Sequence, residues 1–154
     1  MTKFDFHTPS SVANKLLELA AAQRDTLTPL QLTKLVYLSH GFMLGLHSRP
    51  LVNESAEAWT YGPMFRSLYR AVKEFRSDPV RGPLPDGESQ FDELEENVIR
   101  QVYEKYGRQS GLALSRLTHQ ANSPWSWARH AARDRGGPIS NDLLEDYYSR
   151  LAAN

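Results

Sequence analysis

The 154-residue chain contains no cysteine. Disulfide cross-links and thiolate metal sites are therefore excluded, and stability has to come from packing. That lack suits a cytoplasmic protein. The chain also lacks an excess of either charge, with 18 Lys and Arg against 18 Asp and Glu. A general nucleic-acid binder relies on a broad positive field, and none is expected here from bulk charge. No apolar run approaches the roughly eighteen residues of a membrane-spanning helix. The opening MTKFDFHTPSS has no hydrophobic stretch of the secretory kind. No membrane partner is expected.

Several chemical motifs are missing too. The five histidines are His7, His40, His47, His119 and His130, and they form neither an HxxxH nor an HExxH pair. His40 and His47 stand two helical turns apart, roughly 10 Å along an axis, too far to share an ion on a straight helix. Neither GxxxxGK[ST] nor GxGxxG is present, so no phosphate cradle is visible. No metal or cofactor is expected. Ser115 and His119 lie four residues apart and can face each other on a helix. A serine nucleophile, however, needs a sharp exposed turn of the GxSxG kind, and the sequence lacks one. A small hydrolase using Ser115 and His119 is thus a third reading, and the chain is not read as an enzyme.

What is present is clear helix punctuation. Composition is ordinary for a globular protein, at 40% hydrophobic and 23% charged, and the length fits a single domain over 1–154. Thr8-Pro9 and Thr28-Pro29 each read as an N-cap followed by proline in the first turn. The first helix is predicted to run to about Ala22. The second, PLQLTKLVYLSHGFMLGLH, is apolar on more than one face and should be central and buried. Glu57 to Tyr61 looks extended, as a short strand or hairpin. Gly62-Pro63 then reads as the opening of a third helix through about Phe75. Residues 76–90 hold three prolines and two glycines, a loop long enough that it either packs or moves. A fourth helix is expected from Ser89 or Gln90, with acids crowding its first turns and Gly107 at its end. Ser110, Ser123-Pro124 and Ser140 cap three more, with Gly136-Gly137-Pro138 as a break. The expected architecture is mainly α: a single-domain bundle of six or seven helices with a short β-hairpin element.

Charge is locally uneven. Residues 66–81 carry Arg66, Arg70, Lys73, Arg76 and Arg81 against Glu74 and Asp78, while 86–96 are acidic and 100–135 basic. Such separation can steer a complementary surface. Trp59, Tyr61, Phe65, Arg66, Tyr69 and Arg70 also fall close together. Protein–protein hot spots favour Trp, Tyr and Arg. Trp59 and Phe65 fit the core, whereas Tyr61, Arg66, Tyr69 and Arg70 are hard to bury together. Those four, with the loop Arg76 to Gln90, are the expected partner-binding face.

Three segments, LTPLQLTKLVYLSHGFML, EAWTYGPMFRSLYRAVKEF and SRLTHQANSPWSWAR, carry a resemblance in their order and spacing. They resemble the Panacea domain, or SocA-like antitoxin domain, of phage-associated proteins, from about Thr28 to Arg129. The first is similar to the family's K-L-x-Y helix, here Lys34, Leu35 and Tyr37. The second is similar to its E-A-x-x-x-G-P element, here Glu57, Ala58, Gly62 and Pro63. The third is similar to its L-x-H…P-W element, here Leu117, His119, Pro124 and Trp125. The resemblance implies a type II antitoxin that binds a cognate toxin protein directly, with no catalytic residues to carry over. It also implies that the toxin's active site or nucleic-acid surface is occluded. Some members carry an extra N-terminal DNA-binding region, which is not expected here because one short helix precedes the matching part. The alternative is a proteolytic adaptor that presents the toxin to a protease. His119, Pro124 and Trp125 are expected to support the fold, with His119 bonding a backbone carbonyl or Glu57.

Overall fold

A computed structural model describes residues 6–85 and 87–153. The first five residues of the N-terminal stretch and Asp86 of the acidic run lie outside the described residues. Helix α1 (Pro9–Ala22) starts where expected, with the Thr8 hydroxyl accepting from the Ser11 N–H at 3.1 Å. Helix α2 (Pro29–His47) begins with a reciprocal cap. Thr28 Oγ1 accepts from Gln31 N at 3.3 Å, and Gln31 Oε1 accepts from Thr28 N at 2.9 Å. Two of the orphan N–H groups of that helix end are satisfied in this way. From Leu32 to Leu44 only Phe42 is less than buried, so α2 is the central rod. It is packed by α1, α4 (Glu93–Tyr106), α5 (Gly111–Thr118) and α7 (Asn141–Ala153).

Strand β1 (Ala56–Trp59) lies between β2 (Gly62–Met64) and β3 (Pro138–Ile139), antiparallel to both. Glu57 faces Met64 and Trp59 faces Gly62 in the first pairing; Ala56 faces Ile139 in the second. With seven helices and one small sheet among the described residues, the molecule is mainly α with a short hairpin.

Three local expectations need correction. Gly62-Pro63 does not open the third helix. Both residues belong to β2, an edge strand, where a missing proline N–H is tolerated. Helix α3 (Arg66–Val72) starts later, after extended Phe65, and the Ser67 N–H donates to Glu54 Oε2 at 3.0 Å. A 3₁₀ turn, Lys73–Phe75, finishes that segment. The fourth helix starts neither at Ser89 nor at Gln90. Asp92 is its cap, in a second reciprocal box with Glu95. Ser89 and Phe91 instead meet His7, whose Nε2 lies 3.0 Å from Glu95 Oε1. Helix α6 (Pro124–Ala131) ends at Ala131, capped by Ala132, before Gly136-Gly137-Pro138 is reached, and Pro138 enters β3, a pairing too short to leave a periodic signal.

The proline-rich loop packs. Asn14 of α1 donates to the carbonyls of Leu84 (3.1 Å) and Gly87 (3.3 Å) and accepts from Leu84 N at 2.7 Å. The Val80 N–H reaches Leu27 O at 2.8 Å, with Val80 and Leu84 buried.

Candidate partner-binding site

The hairpin is where the distant segments meet. Lys34 projects from α2, is 1% exposed, and donates through Nζ to the Pro63 carbonyl at 2.8 Å. Burial lowers its pKa to about 8, because removing an ammonium from water penalises the charged form. Gly62 is required just above it. Its φ is +129°, a region that side-chain-bearing residues avoid, and a Cβ there would stand 2.9 Å from Lys34 Nζ and 3.7 Å from His119 Nδ1.

Helices α5 and α6 hold the other side. Ser115 Oγ donates to Tyr61 O at 3.2 Å and lies 3.4 Å from His119 Nδ1. The His119 ring meets Trp125 edge-on at 5.3 Å between centroids. Trp125 Nε1 donates to Trp59 O at 2.6 Å, and Arg129 Nη1 donates to Ala58 O at 2.9 Å. Arg129 also covers the Trp125 ring, 5.6 Å from its centroid. His119 therefore bonds neither Glu57 nor a backbone carbonyl among the described residues. Ser115, one turn earlier on α5, bonds a hairpin carbonyl instead, that of Tyr61. Pro124, buried at the first turn of α6 after the Ser123 cap, sets the direction from which Trp125 enters. Tyr37, fully buried on α2, packs edge-on against Tyr148 of α7 at 6.3 Å. It belongs to the core behind the hairpin.

Ser115 is 7% exposed, and its hydroxyl donates to Tyr61 O. Among the described residues no carboxylate orients His119, and no group of three or more His, Asp or Glu is placed to hold a metal.

On the outer side, Glu57 gathers the polar groups. Arg66 grips its carboxylate with two bonds, 3.2 Å from Nε and 2.8 Å from Nη2, and Trp59 Nε1 donates to it at 2.9 Å. The Arg66 bonds, then the Trp59 bond, hold the Glu57 carboxyl below its ordinary pKa; the Arg70 charge adds to this. The guanidinium of Arg66 stands 5.6 Å over Trp59, and Tyr69 meets Trp59 edge-on at 5.0 Å. Trp59 is thus half-buried, clasped between the fold and a polar skin. Tyr61 projects from the turn with 85% of its surface exposed; Arg66, Tyr69 and Arg70 are exposed as well. An exposed pair such as Arg66–Glu57 is screened by solvent and adds little to stability, so these groups can exchange partners easily.

Sequence reasoning missed Lys34 as an internal strut and Arg129 as a clamp. The signal for Arg129 was its place one helical turn after Trp125, on the same face. Substituting Trp125 with phenylalanine keeps most of the packing but leaves the Trp59 carbonyl without its donor. We expect a loss of about 1–2 kcal/mol, read as a Tm drop of about 3–6 °C in thermal melts. An unchanged Tm would mean that this bond does not brace the hairpin.

Comparison with known proteins matches the sequence of this chain to a family. Residues 32–126 match the model described as "Antitoxin SocA-like, Panacea domain". Antitoxin SocA of Caulobacter vibrioides (strain NA1000 / CB15N) is 32% identical over 125 residues, which cover 75% of this chain and 66% of that protein. No solved structure matches the chain significantly. The matched span contains Lys34, the hairpin, His119 and Trp125, which the fold brings to one place, and the chain belongs to the SocA-like antitoxin family, Panacea domain.

Proposed function

We propose that the chain is the antitoxin of a type II toxin–antitoxin system, neutralising a cognate toxin by direct protein–protein contact. The observation that carries this reading is the family match together with the 32% identity to a protein named as an antitoxin. The geometry supports it. A rigid scaffold behind the hairpin presents Tyr61, Arg66, Tyr69 and Arg70 on the outside. Aromatic and arginine side chains give large contact area with directional polar bonds, the composition of energetic hot spots. A standard interface buries about 1,600 Å² in total, which one face of a domain this size supplies. Neutralisation is then stoichiometric: the antitoxin covers the toxin's working surface, with no covalent step.

The test is co-expression with the product of the neighbouring gene, scored by growth, with toxin protein followed by immunoblot. Rescue at constant toxin level supports occlusion; loss of the toxin that depends on this protein assigns delivery to a protease instead. The double variant Arg66→Glu/Arg70→Glu should bind the toxin at least about tenfold more weakly, a change of about 1.4 kcal/mol. Both side chains are exposed, so its Tm should stay within about 2 °C of the parent. Unchanged affinity removes this face from the interface.

A further inference from the structure

A cleft of about 560 Å³ opens between the hairpin and the segment that follows α6. Trp59 and Tyr61 form one wall, and Arg66, Arg129 and Arg135 reach it from the others. The three guanidinium groups are in different states. Arg66 is neutralised by Glu57. Arg129 is spent on two backbone carbonyls, Ala58 O at 2.9 Å and Asp134 O at 2.6 Å, which fix its position but leave its charge uncompensated. Arg135 is exposed, and its side chain makes no hydrogen bond or ion pair among the described residues. The backbone that carries Arg135 is held in an unusual course. Arg133 and Asp134 have φ of +53° and +64°, followed by Gly136 at +79° and Gly137 at +152°. Non-glycine residues in this region are strained and persist where the surroundings over-determine them. Here the Asp134 carbonyl is gripped by Arg129, and the Gly137 carbonyl accepts from Ala58 N at 2.8 Å.

We propose that this cleft receives an extended segment of the cognate toxin bearing an aspartate or glutamate beside an apolar side chain. The carboxylate pairs with Arg135 in the field of Arg129, and the apolar group rests on Trp59 and Tyr61. Planar guanidinium groups suit carboxylates, and aromatic walls suit apolar neighbours. A nucleic-acid strand fits less well. The cleft also contains the carboxylates of Glu57 and Asp134, whereas a phosphate backbone needs several uncommitted cations in succession. The proposal rests on the antitoxin reading, and it adds the chemistry of the docking segment and Arg135 as its anchor.

Isothermal titration of the full chain with the intact product of the neighbouring gene tests it. Arg135→Glu should weaken binding at least about tenfold, and Tyr61→Ala should weaken it independently. Reversing one acidic residue of the toxin to lysine should restore binding to the Arg135→Glu variant. Circular dichroism checks that both exposed substitutions leave the fold intact. Toxin affinity unchanged by Arg135→Glu overturns the cleft proposal while leaving the antitoxin reading in place. Failure of the parent protein to bind the toxin removes both. Binding of a fifteen-residue oligothymidylate that Arg135→Glu abolishes, with toxin affinity unaffected, reassigns the cleft to nucleic acid and also overturns it.

Discussion

Replacing Gly45 with leucine should loosen α7 from α2 and lower stability by about 3 kcal/mol. The two helices touch through glycines one turn apart. A Cβ at Gly45 would fall 2.6 Å from Ser149 N and 2.6 Å from the Tyr148 carbonyl carbon. Both are backbone atoms of α7, so no side-chain rotation relieves the clash and the helix itself has to move. Such a move uncovers Leu144 and Tyr148, which are 0% and 3% exposed. At Gly41 a Cβ would meet the Tyr148 ring at 2.6 Å. That ring is already held among Tyr37, Phe42 and Tyr147. Gly41→Ala should therefore destabilise as well, though less, because a ring can tilt. Urea titration measures both. We expect a lower midpoint for Gly45→Leu and a Tm decrease of about 6–12 °C. A Gly45→Leu protein with the parent Tm would show that α7 is not seated this way.

The second large effect is acid sensitivity through His40. This side chain is fully buried on α2 and joins three parts of the chain. Its Nδ1 accepts from Leu51 N at 3.2 Å and Val52 N at 3.3 Å, and its Nε2–H donates to Asn141 Oδ1 at 3.0 Å. Two N–H donors aimed at Nδ1 require that nitrogen to carry no proton, so the ring is neutral with its hydrogen on Nε2. Burial is the main cause that pushes its pKa down to about 4 from the ordinary 6.5. In the unfolded chain the ring takes a proton once pH falls below about 6.5; in the native state it resists until about pH 4. Stability from this site is complete above pH 6.5 and is lost as pH falls through the folded value, in total about 3 kcal/mol. Denaturation at pH 7.5 and pH 4.5 should reveal most of that difference. In His40→Gln, which cannot titrate, the dependence over this window should flatten even though the variant starts less stable. An equally steep dependence in the variant would place the acid sensitivity elsewhere.

Helix identity was legible in the sequence because it depends on local chemistry. Thr8-Pro9, Thr28-Pro29, Ser110 and Ser123-Pro124 all cap the helices they were expected to cap. The burial of α2 followed from its lack of a polar face. Elements that depend on distant partners were less readable. Gly62-Pro63 carries the same local signal as Ser123-Pro124, yet pairing with β1 and the Lys34 bond to the Pro63 carbonyl place it in a strand. Asp92 outcompeted Ser89 as a cap because Arg49 also binds its carboxylate, at 2.7 Å, a contact 43 residues away in sequence. For the site, exposure of Tyr61, Arg66, Tyr69 and Arg70 agreed with the expectation that four such groups resist common burial. The role of Lys34 was hidden, since a lysine within an apolar helix gives no sign that a carbonyl waits at the end of its side chain.

The indole arrangement gives this molecule an optical reporter of its own. Of its three tryptophans, Trp59 and Trp125 are joined through the hairpin, and Trp127 stands apart, 56% exposed on α6. Emission from the joined pair arises beside the Arg66 and Arg129 guanidinium groups, both within 5.6 Å of an indole centroid. Any displacement of those cations alters the field that sets the emission wavelength. With Trp127 replaced by phenylalanine, a molecule that displaced those cations would register in the intrinsic fluorescence of the unlabelled protein.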